Sequence, residues 1–345
     1  MAAGTTGTPI AVIGMAGRFP GADDLTALWD VVAAGEDRIG PVPADRPDLL
    51  ADPRMRGVRA GFLDRVAEFD ATAFGISPRE AGFMDPQQRH FLEVTWEALQ
   101  DAGRRPGELA GTATGVFVGV ATGDYNELMA SRGGASEAHM ATGVAHAVLA
   151  NRVSHLLDLR GPSEALDTAC SSSLVAVHHA VRALRDGDCD LAVAGGVNLT
   201  LSPALYDTFT RAGMLSAQGR CASFDDSADG YVRGEGVGAV VLKPLHRALE
   251  DGDPVRAVIL GSAVNHGGRS PSLTARTRSP RRRSSSTRCA RRASTPAPSA
   301  TCRRTAPAPP WATRSRSRAS SRRTPGSTRT GTCPPPPHRT SRSGP

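Results

Sequence analysis

The sequence changes character abruptly near residue 275, and this change limits where a folded core can form. The last 70 residues contain no Ile, Leu, Val, Phe, Met or Tyr, and Trp311 is their one large apolar side chain. Twelve of the chain's 26 prolines also fall there. Such a segment cannot bury enough apolar surface to offset the entropy lost on ordering. The sequence therefore predicts one large domain over residues 1–275 and a disordered tail over residues 276–345.

The charge of the chain follows the same division. The tail contains 18 arginines and no acidic residue. Residues 1–275 contain 23 Lys and Arg against 34 Asp and Glu, a net charge of −11, so the whole-chain charge of +7 comes from the tail. An Arg-, Ser- and Pro-rich arm could bind nucleic acid, since phosphate neutralisation needs only positive charge. Basic arms usually mix in lysine, however, and this tail has none. Nucleic-acid binding is therefore the weaker interpretation.

Membrane insertion, disulfide bonds and metal binding are not indicated. No segment reaches about 18 consecutive apolar residues, and the N-terminus lacks a basic region followed by an apolar stretch, which favours a cytoplasmic protein. The six cysteines, three of them in the tail, are not spaced like a metal site or a disulfide framework. His139, His146 and His155 likewise lack the spacing of a ligand pair.

Short apolar runs alternate with helical periodicity over the domain, a pattern typical of an α/β fold. We predict strands at residues 11–14, 115–120, 191–194, 238–242 and 255–260, and helices at residues 25–34, 87–102, 141–149 and 171–185. Two glycine-rich stretches do not complete the dinucleotide-binding pattern. We interpret their glycines as tight turns, at Gly14, Gly17, Gly234, Gly236 and Gly238.

Cys170 is the cysteine with a chemical setting. An apolar approach ending at Leu166 precedes it, and apolar residues recur at helical spacing over residues 174–185, which predicts a strand-to-helix turn at the thiol. The unpaired N–H groups and positive end of a helix favour a thiolate. The small neighbours Ala169 and Ser171 leave room for a substrate carbonyl. A buried core cysteine is the alternative where such a context is lacking.

The Cys170 segment is one of an ordered series of motifs along the domain. They read IAVIGMAGRFPG at 10–21, FGISPRE at 74–80, MDPQQR at 84–89, DTACSSSL at 167–174, AGGVN at 194–198, FD at 224–225 with ADGYVRGEG at 228–236, and VNHGG at 264–268. Together they resemble the β-ketoacyl synthases, in the subgroup of type I modular polyketide synthases. The resemblance runs from about residue 9 to about residue 275.

This resemblance implies a thiolase-like α/β fold, in which two related halves stack as five alternating layers of helices and sheets. The chain would contain the N-terminal half nearly complete and only the first strand or two of the C-terminal half. In such a fold the halves bury their sheets and central helices against each other. We therefore expect Val175, Val181 and their neighbours to be partly exposed here, and Cys170 to be buried behind a narrow opening.

The resemblance also implies a reaction in two steps. The thiolate of Cys170 attacks an acyl thioester carried on an acyl carrier protein and becomes acylated. A malonyl or methylmalonyl group on a second carrier then loses carbon dioxide, and the resulting carbanion attacks the acyl group to form a β-ketoacyl thioester. Substrates arrive on carrier phosphopantetheine, with no cofactor bound directly. The implied partners are acyl carrier protein, other polyketide synthase domains and, for the intact protein, a second copy.

The sequence departs from the family at the condensation step, which two histidines assist. Neither the His-Gly-Thr-Gly-Thr motif nor the Asn-x-Gly-His segment occurs, and Lys243, the only lysine, lies in a predicted strand. His178 and His179 are at least two helical turns from Cys170, and His266 matches a structural loop. We therefore expect a β-ketoacyl synthase impaired in condensation. A non-catalytic ketosynthase-like protein is the alternative.

The tail itself suggests how the motif was lost. Residues 304–314 can be encoded by DNA that, read from the last base of the Arg304 codon, gives His-Gly-Thr-Gly-Thr-Ala-Leu-Gly-Asp-Pro. Residues 275–278 likewise permit Pro-Asn-Ala directly after Ala275. We therefore predict a reading-frame shift near residue 275, so that residues 276–345 are translated out of frame.

Overall fold

The computed structural model describes residues 7–133, 137–266 and 268–269, so the predicted disordered tail lies outside the described residues. The strands are β1 Ile10–Arg18, β2 Gly40–Pro41, β3 Arg59–Ala60, β4 Thr114–Gly119, β5 Ser163–Leu166, β6 Leu191–Asn198, β7 Gly236–Pro244 and β8 Ala257–Ile259. The helices are α1 Leu25–Ala34, α2 Pro47–Ala51, α3 Pro78–Phe83, α4 Pro86–Asp101, α5 Asp124–Ser131, α6 Met140–Gly143, α7 His146–Leu156, α8 Ser172–Asp186, α9 Ala204–Arg211 and α10 Leu245–Glu250. Within these ranges no helix is both long and apolar enough to cross a membrane.

Six strands form one mixed sheet in the order β5-β4-β6-β7-β1-β8, and β2 and β3 form a separate antiparallel pair. β4 runs parallel to both β5 and β6. The pairs β6–β7, β7–β1 and β1–β8 are antiparallel. All five strands predicted from the apolar runs occur in this sheet, and the α/β prediction is confirmed.

Side chains of the sheet alternate between two apolar cores, because successive residues of a strand point to opposite faces. In β4, Val116 and Val118 belong to the core that α4 and α7 cover, whereas Phe117 belongs to the core that α8 covers. All three side chains are buried. The sheet is therefore enclosed by helices on both faces, as expected for strands that are apolar throughout.

One face of α8 packs on the sheet, and this corrects an expectation about exposure. Val175 and Val181 are buried, at 8% and 0% exposed, so the prediction that they would be partly exposed is wrong. The reason is that α8 packs against β4 and β6 of the chain's own sheet. The uncovered face of α8 is marked instead by Leu174, which is 74% exposed.

Four glycines interpreted as turn residues lie inside strands, so that interpretation is wrong for them. Gly14 and Gly17 belong to β1, and Gly236 and Gly238 belong to β7. A Cβ atom at Gly14 would lie 2.6 Å from the backbone nitrogen of Ala102. The missing side chain therefore allows the end of α4 to approach the strand closely.

Candidate active site

Cys170 lies in the connection between β5 and α8, as predicted. β5 runs parallel to β4, Ala169–Ser171 form a single 3-10 turn, and α8 begins at Ser172. The first N–H groups of an α-helix have no partner within the helix and carry its positive end. The thiol therefore has the setting of a nucleophile at a helix N-terminus.

Two glycines at the carboxyl ends of β4 and β6 allow the first turn of α8 to rest directly on the sheet. A Cβ atom at Gly119 would lie 2.5 Å from the carbonyl carbon of Ser172 and 2.8 Å from the Cα of Ser173. One at Gly196 would lie 2.6 Å from the Cβ of Ser173. Gly119 and Gly196 are partners across the two strands. We call this pair the glycine seat.

The backbone just before Cys170 adopts a conformation that is unfavourable for a residue with a Cβ atom. Ala169 has a φ of 55°, in the left-handed region. Its N–H donates to Oδ1 of Asp167 at 2.8 Å. The Ser172 hydroxyl accepts from the N–H of Thr168 at 2.9 Å and donates to the carbonyl oxygen of Ala169 at 2.6 Å. Side-chain hydrogen bonds therefore hold this turn in place.

Cys170 is exposed, so the prediction that it is buried behind a narrow opening is wrong for the described structure. Residues 167–171 are all exposed, because the sheet supports the turn from one side only. The other cysteines in the described ranges differ. Cys189 is buried, and burial raises the pKa of its thiol to about 11. Cys221 is exposed, and its Sγ accepts a hydrogen bond from the N–H of Val232 at 3.1 Å.

Tyr231, in the motif at residues 228–236, is influenced electrostatically by Cys170. Burial raises the pKa of Tyr231, the positive charge of Arg233 opposes this, and a negative charge on Cys170 adds to it. The phenol is therefore within electrostatic range of the thiol. A backbone bridge to Leu215 holds Tyr231 in position. Two motifs that are far apart in the sequence thus lie within electrostatic range of each other.

A buried ion pair anchors the same motif. The Glu235 carboxylate, 1% exposed, accepts from the Arg46 guanidinium at 2.8 Å and from the N–H groups of Leu63 and Thr200, each at 2.8 Å. Arg46 also donates to the carbonyl oxygens of Thr200 at 3.2 Å and Leu63 at 3.1 Å. Both carboxylate oxygens are therefore satisfied, as a buried charge requires. The sequence contained no signal for this long-range partnership.

The motif at residues 84–89 fixes the start of α4, on the opposite face of the sheet from α8. Asp85 caps the helix by accepting from the N–H of Gln87 at 2.8 Å. Burial raises the pKa of the Asp85 carboxyl to about 6, against the lowering effect of its hydrogen bonds to Gln87. Arg89 donates to the carbonyl oxygen of Met84 at 2.7 Å. The groups of this motif thus hold the scaffold together and do not face the thiol.

His178 and His179 lie on α8, apart from the thiol. Both lie about 12 Å along α8 from Cys170. The Nδ1 atom of His178 lies 2.8 Å from the Ser262 hydroxyl, and that of His179 lies 3.0 Å from the Glu164 carboxylate.

In the VNHGG motif, the Nδ1 atom of His266 accepts a hydrogen bond from the N–H of Gly268 at 3.0 Å, as a structural loop residue would. In the part of the chain that the structure describes, no three His, Cys, Asp or Glu residues could together hold a metal ion.

Comparison with known proteins identifies the family. The sequence profile described as "Beta-ketoacyl synthase, N-terminal domain" matches residues 7–248, so the chain belongs to the β-ketoacyl synthase family. Among its relatives, one component of the phenolphthiocerol/phthiocerol polyketide synthase of Mycobacterium tuberculosis is 52% identical over 276 residues, covering 77% of this chain and 18% of that protein. The 6-methylsalicylic acid synthase of Penicillium terrestre is 49% identical over 278 residues, covering 77% of this chain and 15% of that protein.

Solved structures agree with this assignment. The ketosynthase from module 6 of the bacillaene synthase of Bacillus subtilis matches with a TM-score of 0.70 and 38% identity, over 77% of this chain and 45% of that chain. The oxazolomycin ketosynthase domain of Streptomyces albus matches with a TM-score of 0.69 and 45% identity, over 77% of this chain and 47% of that chain. The fold is thiolase-like, of the kind found in type I modular polyketide synthases. The chain spans less than half of these ketosynthases and less than a fifth of the two multidomain relatives.

Proposed function

We propose that Cys170 is the acyl-accepting nucleophile of a β-ketoacyl-[acyl carrier protein] synthase of polyketide or fatty acid biosynthesis. The observation that most supports this is the exposed thiol at the N-terminus of α8, directly above the carboxyl ends of parallel strands. Its thiolate attacks the carbonyl carbon of an acyl thioester. The bond to the Cys170 sulfur forms as the bond to the carrier phosphopantetheine sulfur breaks, and the released carrier thiol takes up a proton. The chain is thus an acyltransferase in its first step.

The second step is decarboxylative condensation with a malonyl-type extender, and this chain lacks the two histidine motifs that the family uses for it. General acid–base groups of this kind typically contribute about 10²- to 10⁴-fold in rate. We therefore propose that the chain accepts an acyl group on Cys170 but does not form a β-ketoacyl product. In this proposal residues 1–275 are the ketosynthase N-terminal region and residues 276–345 are out-of-frame translation.

The intact protein would work in the cytoplasm with acyl carrier protein, with other polyketide synthase domains and as a homodimer. It would bind no cofactor directly, because the phosphopantetheine belongs to the carrier. The alternative is a non-catalytic ketosynthase-like protein, which would not be acylated.

Intact-mass measurement separates these two functions. After incubation with an acyl-phosphopantetheine thioester, the chain should gain one acyl group, and peptide mapping should locate that group at Cys170. Cys170→Ala should gain none, whereas the matched variant Cys221→Ala, which removes another exposed thiol, should be acylated as the parent is. Equal labelling of Cys170 and Cys221, or no labelling, would favour the non-catalytic alternative.

A further inference from the structure

Ser172 has a buried hydroxyl that links two peptide groups on the N-terminal side of Cys170. Ser172 is 6% exposed. The Oγ atom accepts from the N–H of Thr168 at 2.9 Å and donates to the carbonyl oxygen of Ala169 at 2.6 Å. Both partners precede Cys170 in the chain, while Ser172 follows it. The side chain therefore closes a small loop with Cys170 at its tip.

The residue held by this loop is strained. Ala169 has a φ of 55°, which brings its Cβ atom close to the following carbonyl oxygen. Such a conformation persists only where the surrounding contacts over-determine it. Here those contacts are the two hydrogen bonds of Ser172 and the bond from the Ala169 N–H to Asp167. The neighbouring hydroxyl of Ser171 donates to Thr168 within the exposed part of the turn.

We propose that Ser172 is a positioning residue for Cys170, acting through the left-handed conformation of Ala169. This inference rests on the proposed function, because it assigns Ser172 to the same nucleophile. Without the hydroxyl, Ala169 relaxes toward a negative φ. The sulfur atom of Cys170 then moves away from the position that the turn gives it at the start of α8.

The test measures iodoacetamide alkylation of Cys170 by peptide mapping between pH 6 and pH 9. Ser172→Ala should lower the rate at pH 7 about tenfold, because the sulfur atom is displaced from the position in which the turn holds it at the start of α8. The matched control is Ser173→Ala, on the next, exposed residue of α8, and its rate should stay within about twofold of the parent. Cys221, exposed and on another segment, is the internal reference.

A double variant tests the route of the effect. Glycine adopts positive φ readily. In the Ala169→Gly background, Ser172→Ala should therefore lower the alkylation rate of Cys170 by only about threefold. Ala169→Gly alone should raise the melting temperature, because it relieves strain; this measurement remains informative even where Ser172→Ala does not fold.

Three results would overturn the positioning role. These are an unchanged rate in Ser172→Ala, an equal loss of reactivity at Cys221, and a lower melting temperature of Ala169→Gly. A parent chain in which Cys170 is no more reactive than Cys221 refutes the proposed nucleophile itself, and so separates that failure from failure of the inference.

Discussion

Replacing Gly119 with alanine would test whether the glycine seat sets the position of Cys170. The new Cβ atom would lie 2.5 Å from the carbonyl carbon of Ser172, whereas ordinary contacts begin near 3.4 Å. The first turn of α8 must therefore rise by about 1 Å, because β4 is buried and cannot yield. Overpacking of this kind costs about 1–3 kcal/mol of unfolding free energy. A displacement of about 1 Å at a reacting group can also lower its rate by roughly 100-fold.

Urea denaturation and the acylation rate of Cys170 would measure the two effects of Gly119→Ala. The control is Gly107→Ala, because a Cβ atom at Gly107 meets nothing within 4 Å and its φ is not positive. That variant should keep its unfolding free energy within about 0.5 kcal/mol of the parent and should be acylated at the parental rate. The reasoning is refuted if Gly119→Ala matches the control in both measurements.

Further variants test the scaffold by urea denaturation. Between pH 4 and pH 7, the unfolding free energy of Asp85→Asn should rise by up to about 3 kcal/mol relative to that of the parent. The reason is that the pKa of Asp85 is raised to about 6, so the parent loses the stability that a protonated Asp85 provides as the pH rises through that value. A difference in unfolding free energy that does not change with pH would contradict this. Arg46→Met should lower the unfolding free energy by about 3–5 kcal/mol. The double variant Arg46→Met, Glu235→Gln should lose less than the sum of the losses of the two single variants. Additive losses would argue against an energetic coupling between Arg46 and Glu235. Val181→Ala should lower the unfolding free energy by about 1–3 kcal/mol. Leu174→Ala, on the uncovered face of α8, should lower it by about 0.5 kcal/mol or less.

Local signals accounted for much of the fold. α1 occupies Leu25–Ala34 as predicted, because Asp24 caps its start and Gly35, with a φ of 67°, ends it. The strand-to-helix turn at Cys170 was likewise predicted from a change of periodicity. By contrast, the helix predicted at residues 141–149 is divided into α6 and α7. Gly143 there packs against the backbone of Phe83, a contact that periodicity cannot reveal.

The features missed at the site depend on contacts between distant segments. The glycine seat requires β4 and β6 to be adjacent, and a glycine within a strand carries no signal for which helix it will meet. The partnership of Arg46 with Glu235 joins residues 189 positions apart. In the sequence, nothing distinguishes Ser172 from its neighbours Ser171 and Ser173. In the structure, Ser172 alone of the three is buried. The exposure of Cys170 was missed because the resemblance described a complete two-half domain.

The most direct test of the central claim compares the chain with a version in which one base is restored near codon 275. Both are incubated with acyl and malonyl-type carrier proteins, and the carrier-bound products are identified by mass. The original chain should accumulate acyl-Cys170 without β-ketoacyl product. The restored chain should regain the His-Gly-Thr-Gly-Thr motif and condense, but not when it also carries Cys170→Ala. Condensation by the original chain, or by the restored Cys170→Ala variant, would contradict the account.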